Sequence, residues 1–220
     1  PNKTQSPTHS KTNPPYHKAA YWDERYQTEP EPLDWYQNYN ALRPHIHELI
    51  HPHHIILNVG CGNSPLSSDM RADGYSSISN IDISTVLIER MIEASAGGDS
   101  DMNFQVMDCR NIEFEDESFD RVVDKGTLDV LLATEDCEKS VESYCTHVAR
   151  ILKPMGKFIL ISLYPPSNHM ELLENQDYSW KVSCTPLVKP IIGGEVEPYD
   201  PDNNTGAHYM YVCEMVGDDE

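Results

Sequence analysis

The sequence predicts an α/β fold with a mostly parallel sheet and helices on both of its faces. Three observations predict it. Short apolar runs alternate with amphipathic segments over residues 55–163, as strands and helices do in a doubly wound sheet. The first apolar run ends at Gly60-Cys61-Gly62, a glycine turn typical of a buried strand that leads into a helix. Two alternating segments near the end of the chain indicate an antiparallel terminal hairpin, which brings the sheet to seven strands.

Periodicity places the elements of the core, residues 55–163. Apolar residues that recur every three or four positions predict helices, and short apolar runs bounded by turn residues predict strands. Gly74 is expected to end the first helix, and Ser84 to cap the second. The predicted strands are residues 55–59, 78–83, 104–107, 119–124 and 157–163. The predicted helices are residues 64–74, 84–95 and 134–152.

Flanking regions complete the single expected domain, residues 21–220. Residues 1–20 are rich in Pro, Ser, Thr, Asn and Lys, without the apolar stretch of a secretion signal, and are predicted to form a flexible tail. Residues 21–54 are a leader segment, in which aromatic residues precede a helix with an apolar face from Tyr36 to Ile50. Residues 164–220 are predicted to contain, in order, a helix at 167–173, a strand at 180–185, a Pro-, Gly- and Asp-rich loop at 186–205 and a strand at 207–214.

Composition restricts the class of partner. Sixteen basic residues against 36 acidic ones give a net charge of −20, which disfavours nucleic acid and favours a basic protein partner. No apolar run reaches the roughly 18 residues of a membrane helix, so we expect no membrane association. The six cysteines include no CxxC pair, which argues against a disulfide framework and favours the cytoplasm. We expect the chain to act as a monomer.

A candidate ligand site lies at the ends of the first three predicted strands. Gly60 and Gly62 allow the backbone to approach a ligand closely. Asp82 ends the second strand, where a carboxylate can accept both hydroxyls of a ribose. Asp108 and Cys109 follow the third strand, where a carboxylate can accept an adenine amino group and an apolar side chain can hold the ring. The alternatives are a solvated strand-end carboxylate for Asp82 and an ordinary turn aspartate for Asp108.

The glycine turn fits S-adenosylmethionine better than a dinucleotide. A pyrophosphate would favour a third glycine at position 65, but the sequence has Pro65 there, which removes a backbone donor and stiffens the turn. S-adenosylmethionine carries ribose and adenine without a pyrophosphate, so it tolerates the proline.

Several strings resemble the eukaryotic methyltransferases that modify lysines of translation elongation factor 1A. They are LNVGCGNS at 57–64, NIDIS at 80–84, DKGTLD at 124–129 and the opening YWDERY at 21–26. Methyltransferases in general share the glycine turn, whereas the KGTLD block and the YWDxRY opening are specific. The resemblance covers residues 21–163 clearly and the rest loosely. It implies a Rossmann-like class I methyltransferase that uses S-adenosylmethionine and methylates a protein lysine.

The resemblance also implies which residues contact the cofactor. These are Trp22, Tyr26, Trp35, Gly60, Asp82, Ile83, Asp108, Cys109 and Lys125. Aromatic faces attract cations by about 0.5–2 kcal/mol, so the leader aromatics could close over the sulfonium as a lid; alternatively they only fasten a helix to the sheet, and Lys125 is a solvated cation. The sequence departs from the family at Met155, which replaces the first of two glycines, and in the 186–205 loop, which leaves the choice of target open.

The expected activity leaves the acceptor-side residues to be identified. We hypothesise that Asp124 or Asp129, beside the end of the fourth strand, orients the acceptor amine; the alternative for Asp129 is a helix N-terminal carboxylate. A small-molecule methyltransferase and a non-catalytic cofactor-binding scaffold are the alternative functions. The histidines at 45, 47, 51, 53 and 54 suggest a metal site, but they lack supporting ligands at metal spacing, so we expect none.

Overall fold

A mixed sheet of seven strands organises the molecule, as the sequence predicts. The computed structural model describes residues 14–95, 102–134, 136–189, 200 and 205–217. The strands are β1 (Ile56–Val59), β2 (Ile78–Asp82), β3 (Asn103–Val106), β4 (Phe119–Lys125), β5 (Leu152–Ser162), β6 (Trp180–Val188) and β7 (Ala207–Met215). The helices are α1 (Ala19–Thr28), α2 (Tyr39–Leu49), α3 (Leu66–Ala72), α4 (Thr85–Ser95), α5 (Thr127–Leu132), α6 (Cys137–Ile151) and α7 (Pro166–Leu173), with a 3₁₀ turn at Gln176–Tyr178.

The strand order is β3-β2-β1-β4-β5-β7-β6. β1 to β5 run parallel, while β7 pairs antiparallel with both β5 and β6. The chain moves outward from β1 in one direction through β2 and in the other through β4, so the order reverses at β1. Open α/β sheets bind ligands in the crevice at such a reversal, outside the carboxyl ends of the strands. The fold therefore places the expected site beyond the ends of β1, β2 and β4.

Helices cover both faces of the sheet because successive strand residues point to opposite sides. Leu57 packs with α5 and α6, whereas its neighbour Ile56 packs with α2 and α3. Each residue of β1 is buried, as expected for a central parallel strand. Among the described residues, no helix is both long enough and apolar enough to cross a membrane.

The leader differs from its prediction in two respects. It forms two helices, α1 and α2, rather than one, because Glu29 to Gln37 is an irregular segment that contains Pro30 and Pro32. The predicted tail also ends earlier than residue 20. Tyr16 accepts a hydrogen bond from Trp22 Nε1 at 2.8 Å, and α1 begins at Ala19. The prediction for residues 1–13 lies outside the described residues.

Other boundaries differ where local geometry is irregular. The sequence prediction missed α5, a six-residue helix that follows Gly126, whose φ is +98°. It also ended the long helix one residue late and started β5 at Lys157, whereas the helix ends at Ile151 and β5 begins at Leu152. Met155 within β5 adopts φ +63°, the left-handed conformation in which a glycine is favoured. Most of the predicted 186–205 loop lies outside the described residues, but its first three belong to β6.

Candidate functional site

A pocket opens beyond the ends of β1, β2 and β4, beneath the leader segment. Residues from every predicted part of the site line it: Trp22, Tyr26, Trp35, Gly60, Gly62, Asp82, Ile83, Asp108, Cys109, Lys125 and Asp129. The structure thus brings together all the residues predicted to contact the cofactor, and one of the two acceptor-side candidates. Their contact with a cofactor stays a prediction.

The glycine turn forms the floor of the pocket. Gly60 has φ +60° and Gly62 has φ +55°, both in the left-handed region that side chains disfavour. A Cβ at Gly60 would lie 1.9 Å from Thr127 Oγ1. That hydroxyl donates to the carbonyl of Val59 at 3.0 Å, so α5 and β1 meet directly behind the turn. Glycine is required at position 60 by both conformation and space.

Asp82 lies beside the turn, with its side chain buried. Its Oδ2 accepts a hydrogen bond from the Gly62 amide at 3.0 Å, and its Oδ1 accepts one from the Ser84 amide at 2.9 Å. Burial raises the pKa of the Asp82 carboxyl to about 6, although these amides oppose the shift and nearby Asp23 adds to it. A buried carboxylate with two fixed donors is oriented for further donors from a ligand.

Helix α1 is fastened over this part of the pocket. Asp23 Oδ1 accepts from the Ser84 hydroxyl at 2.6 Å and from the Val86 amide at 3.2 Å, so it caps the start of α4. Arg90 in α4 donates in return to the carbonyl of Tyr26. The Ser84 hydroxyl itself accepts from the amide of Leu87, which agrees with its predicted capping role. These contacts hold the leader aromatics at the pocket wall.

The leader aromatics form a layered set around an arginine. Trp22 and Tyr26 stack with ring centroids 6.0 Å apart. The guanidinium of Arg25 lies 5.6 Å from the Trp22 ring and 5.4 Å from the Trp35 ring, within cation–π range of both. Arg25 therefore joins α1 to the irregular segment after it. The aromatic side chains fasten the leader and also line the pocket, so the two roles predicted for them are compatible.

Lys125 lines the pocket and is also paired with the leader segment. Its Nζ donates to Asp34 Oδ1 at 2.7 Å and to the carbonyl of Trp35 at 3.0 Å. Burial lowers the pKa of Lys125, and the hydrogen bond that its ammonium donates to Asp34 opposes that shift. Ser64, next to the glycine turn, also donates to Asp34 Oδ1, at 2.6 Å. The ammonium of Lys125 therefore binds the leader segment, and the resemblance alone did not indicate this partner.

Asp108 likewise forms a salt bridge with a neighbouring side chain, that of Arg110. Arg110 donates to both of its carboxylate oxygens, the shortest contact being 2.6 Å from Nη2 to Oδ2. Burial opposes ionisation, but the hydrogen bonds from Arg110 outweigh it and hold the pKa of Asp108 below its ordinary value. The same Nη2 also donates to the carbonyl of His17 at 3.1 Å. Burial raises the pKa of the adjacent Cys109 thiol, which suits an apolar wall.

The two acceptor-side candidates, Asp124 and Asp129, differ in their position relative to the pocket. Asp129 lines the pocket, whereas Asp124 is fully buried and does not. Asp124 accepts from the amides of Thr127 and Leu128 and from the hydroxyl of Tyr144, so it caps α5. The structure therefore favours Asp129 over Asp124 at the pocket, because the oxygens of Asp124 are occupied behind the pocket wall. A role of either side chain toward an acceptor amine stays a prediction.

Sequence reasoning missed several pocket residues. They are Tyr16, His17, Tyr36, Arg110, Leu163 and Tyr164. Tyr16 and His17 fell in the predicted tail, and no local pattern links them to Arg110, which lies far along the chain. Tyr36 is adjacent to Trp35, which the resemblance implies as a cofactor contact, and this adjacency is the available signal.

Three of the histidines of the metal hypothesis lie together: His51 and His53 are exposed, and His54 is buried. The rings of His51, His53 and His54 lie within 5.7 Å of each other, and His47 contacts Asp73 at 2.6 Å. No group of three metal-ligating side chains with suitable geometry occurs among the described residues.

The donor set fits an adenosine carrying no phosphate. Position 65 supplies no backbone donor because it is Pro65, which precedes α3. The lysine and arginine of the lining, Lys125 and Arg110, are each paired with an aspartate. Asp82 can accept ribose hydroxyls but would repel a phosphate. The pocket is therefore suited to a ligand with ribose and a base and without a pyrophosphate.

Sequence comparisons agree with this geometry. A family model described as a methyltransferase domain matches residues 57–160. The chain is 39% identical over 156 residues to an eEF1A lysine and N-terminal methyltransferase homolog of Drosophila melanogaster, covering 70% of this chain and 23% of that protein. It is 38% identical over 157 residues to the Homo sapiens eEF1A lysine and N-terminal methyltransferase, covering 70% and 22%. The chain thus spans under a quarter of these relatives.

A shorter relative is matched over most of its length. The chain is 31% identical over 188 residues to EEF1A lysine methyltransferase 4 of Bos taurus, covering 81% of this chain and 73% of that protein. Solved structures share the fold at low identity. A methyltransferase of Methanosarcina mazei superposes with TM-score 0.62 at 18% identity, covering 80% of this chain and 98% of that one. One from Mesorhizobium loti gives 0.57 at 13% identity, covering 79% and 97%.

Proposed function

From the premise that this chain belongs to the class I methyltransferase family whose curated members are named eEF1A lysine methyltransferases, we propose that it methylates a lysine of translation elongation factor 1A. The cofactor is S-adenosylmethionine. One observation carries the cofactor assignment: the left-handed Gly60 turn lies beside the buried carboxylate of Asp82, and the pocket's Lys and Arg are both already paired.

The choice of a protein lysine is supported by the relatives. The Bos taurus protein, of which this chain covers 73%, is named as a lysine methyltransferase of this factor. Charge agrees with that choice, since a net charge of −20 attracts a basic partner. The same charge opposes phosphate-rich surfaces, so the proposal excludes nucleic acid and membranes as partners. It also places the chain in the cytoplasm as a monomer, and the cysteines without a CxxC pair are consistent with that compartment.

The chemistry divides between the cofactor and the chain. When bound, S-adenosylmethionine supplies an electrophilic methyl group on a sulfonium. The chain must hold the acceptor nitrogen about 3–3.5 Å from that methyl, in line with the bond to sulfur. The acceptor must also be neutral, and at pH 7 deprotonation of a lysine with its ordinary pKa costs about 4.6 kcal/mol. Water exclusion beneath the leader segment and hydrogen bonds to the amine are the means available to this chain.

A labelled-methyl assay tests the proposal against its alternatives. The enzyme is incubated with labelled S-adenosylmethionine and either purified elongation factor 1A or a protein-free metabolite extract. We expect label in the protein, and its loss with Asp82→Ala. Label confined to the metabolites would indicate a small-molecule methyltransferase. Cofactor binding without transfer to either pool would indicate a scaffold, and both outcomes contradict the proposal.

A further inference from the structure

Tyr36 is held in an unusual conformation at the wall of the pocket. Its backbone has φ +64°, a left-handed conformation that costs a residue with a side chain about 1–3 kcal/mol. Its hydroxyl donates to Asp129 Oδ2 at 2.8 Å. Both residues line the pocket, so this hydrogen bond lies at the surface that a ligand would meet. Strained backbone that the surrounding structure maintains is often found at functional sites.

The ring of Tyr36 is fixed by two further elements. A Cβ at Gly126 would lie 3.2 Å from Tyr36 Cε2, so the ring packs directly on the glycine that precedes α5. The ring centroid of His208, in β7, lies 5.0 Å from that of Tyr36. His208 is held in turn by Gln37, whose Nε2 is 3.3 Å from His208 Nδ1. Tyr36 is thus positioned at its hydroxyl, its ring and its backbone.

Asp129 has no remaining acceptor capacity for a substrate. Its Oδ2 accepts from Tyr36 and from the Leu163 amide at 2.8 Å. Its Oδ1 accepts from the Ser162 hydroxyl at 2.6 Å and lies 3.3 Å from His169 Nε2. A carboxylate offers about four lone-pair sites, and all four are occupied.

The same network fixes the proton positions around Asp129. Ser162 has a single hydroxyl proton, and it donates that proton to Asp129. The 2.6 Å contact between Ser162 Oγ and His169 Nε2 must therefore have its proton on Nε2, with the serine oxygen as acceptor. That tautomer leaves Nδ1 as an acceptor, in agreement with its being buried and without a hydrogen-bond partner. Ser162, His169 and the Leu163 amide therefore donate to Asp129, and the hydroxyl of Tyr36 is the remaining donor, on the pocket side.

We propose that the hydroxyl oxygen of Tyr36 accepts a hydrogen bond from the acceptor lysine amine and directs its lone pair at the methyl group, with Asp129 as the positioning residue behind it. This inference rests on the proposed function. A phenol that donates to a carboxylate keeps its own lone pairs and becomes a stronger acceptor. The incoming ammonium first loses a proton to water. The amine lone pair then forms the bond to the methyl carbon, the carbon–sulfur bond breaks with its electrons left on sulfur, and the methylated nitrogen carries the positive charge.

A phenol suits this role better than a carboxylate would. A carboxylate in direct contact with the amine would stabilise the ammonium form and oppose its deprotonation. The phenol oxygen is neutral, so it orients the amine with less of that penalty. As positive charge develops on nitrogen during transfer, the polarised phenol and the carboxylate behind it stabilise the transition state more than the ground state. The effect is therefore expected in kcat.

The test compares two tyrosines of the leader. Tyr36→Phe removes only the hydroxyl. Tyr39→Phe is the matched control, because the Tyr39 hydroxyl also donates to a carboxylate, that of Asp73 at 2.5 Å, and Tyr39 is not among the residues that line the pocket. With elongation factor 1A as substrate, we expect Tyr36→Phe to lower kcat about 10- to 100-fold. The dissociation constant of S-adenosylmethionine should stay within about twofold of wild type, and Tyr39→Phe should leave kcat unchanged.

A binding measurement separates the acceptor role from a purely structural one. Calorimetry is done with the S-adenosylhomocysteine complex of each variant and purified elongation factor 1A, after thermal unfolding has verified that the variants fold. Binding of the factor by Tyr36→Phe within about twofold of wild type, together with its lowered kcat, supports the inference, because the effect is expected in the transition state. Binding weakened as much as kcat would indicate a purely structural role and contradict it. Asp129→Asn has a single acceptor oxygen for the four donors around this position, so it should loosen the Tyr36 hydroxyl and lower kcat as well.

Two further outcomes would overturn the inference. The first is a Tyr36→Phe enzyme as active as Tyr39→Phe. The second is a Tyr36→Phe enzyme whose loss of activity is matched by a loss of cofactor affinity, which would make Tyr36 part of the cofactor site. Failure of the wild-type enzyme to methylate the factor, with intact cofactor binding, would instead overturn the proposed function and remove the basis of the inference.

Discussion

Lys125 Nζ donates to the carboxylate of Asp34 at 2.7 Å, joining the leader segment to the end of β4 across 91 positions of sequence. The lysine side chain is 4% exposed, so the pair is sheltered from water on one side. Ser64 adds a hydrogen bond to the same carboxylate oxygen. The segment that carries Trp35 is thereby attached to both the glycine turn and the sheet, which gives the leader a defined closed position over the pocket.

Removing this ion pair should weaken cofactor binding. Lys125→Met keeps the length of the side chain but leaves the Asp34 carboxylate without its cation, which disfavours the closed position. We expect the dissociation constant of S-adenosylmethionine to rise roughly 10-fold by calorimetry. Lys153→Met is the control, because its 3.0 Å pair with Asp120 lies away from the pocket. Equal affinities for the two variants would contradict a closing role for Lys125.

The glycine turn provides a second matched comparison. Gly60→Ala adds a Cβ 1.9 Å from Thr127 Oγ1 at a left-handed φ, whereas Gly74→Ala adds one at φ +102° with nothing within 4 Å. Gly74→Ala should therefore lose only about 1–3 kcal/mol of stability for its backbone conformation and keep its cofactor affinity. Gly60→Ala should lose more stability in urea unfolding and all measurable cofactor binding. Normal binding by Gly60→Ala would mean that the turn is not the cofactor floor.

Cofactor affinity should depend on pH through Asp82. Burial raises the pKa of this carboxyl to about 6 from an ordinary value of 3.8. Its contribution to folding stability therefore falls as pH rises from about 4 to 6, because the unfolded chain releases the proton first. Ribose hydroxyls that donate to the carboxylate favour its charged form, so S-adenosylmethionine should bind more tightly at about pH 7 than at about pH 5. Calorimetry at both pH values should show no such change in affinity for Asp82→Asn. If the affinity of that variant changes with pH as much as that of wild type, Asp82 is not the source of the pH dependence.

Asp124 should matter for stability, since its carboxylate caps α5 from a buried position. Asp124→Asn keeps the shape but presents an amide donor to a site that receives the amides of Thr127 and Leu128 and the hydroxyl of Tyr144. We expect a loss of about 1–3 kcal/mol in urea unfolding. The kcat of Asp124→Asn is measured with saturating cofactor, under conditions in which the variant is folded. It should fall less than the kcat of Tyr36→Phe. A larger fall in kcat than in that variant would return Asp124 to the acceptor side.

The sheet and its crevice could be predicted because their signals are local. A parallel strand buried on both faces is a continuous apolar run, and the Gly60 turn and Asp82 each follow such a run directly. The seven strands and the sheet's antiparallel end are confirmed. The helix α5 could not be predicted, because it is six residues long and starts after a left-handed glycine that resembles a turn.

The contacts across the pocket could not be predicted because they join distant positions. Asp34 with Lys125 and Tyr36 with Asp129 each connect the leader to the region around α5. Periodicity gives no information on such pairs, so the partner of Lys125 could not be predicted. Tyr16 was missed for the same reason, since a polar, proline-rich stretch gave no sign of packing on the aromatic cluster.

Mass spectrometry of purified elongation factor 1A, after incubation with this protein and S-adenosylmethionine, tests the central claim most directly. The account predicts a mass increase of one or more methyl groups, localised by peptide fragmentation to a lysine side chain and absent when Gly60→Ala replaces the wild-type enzyme. An unmodified factor, from an enzyme preparation that calorimetry shows to bind the cofactor, would contradict it.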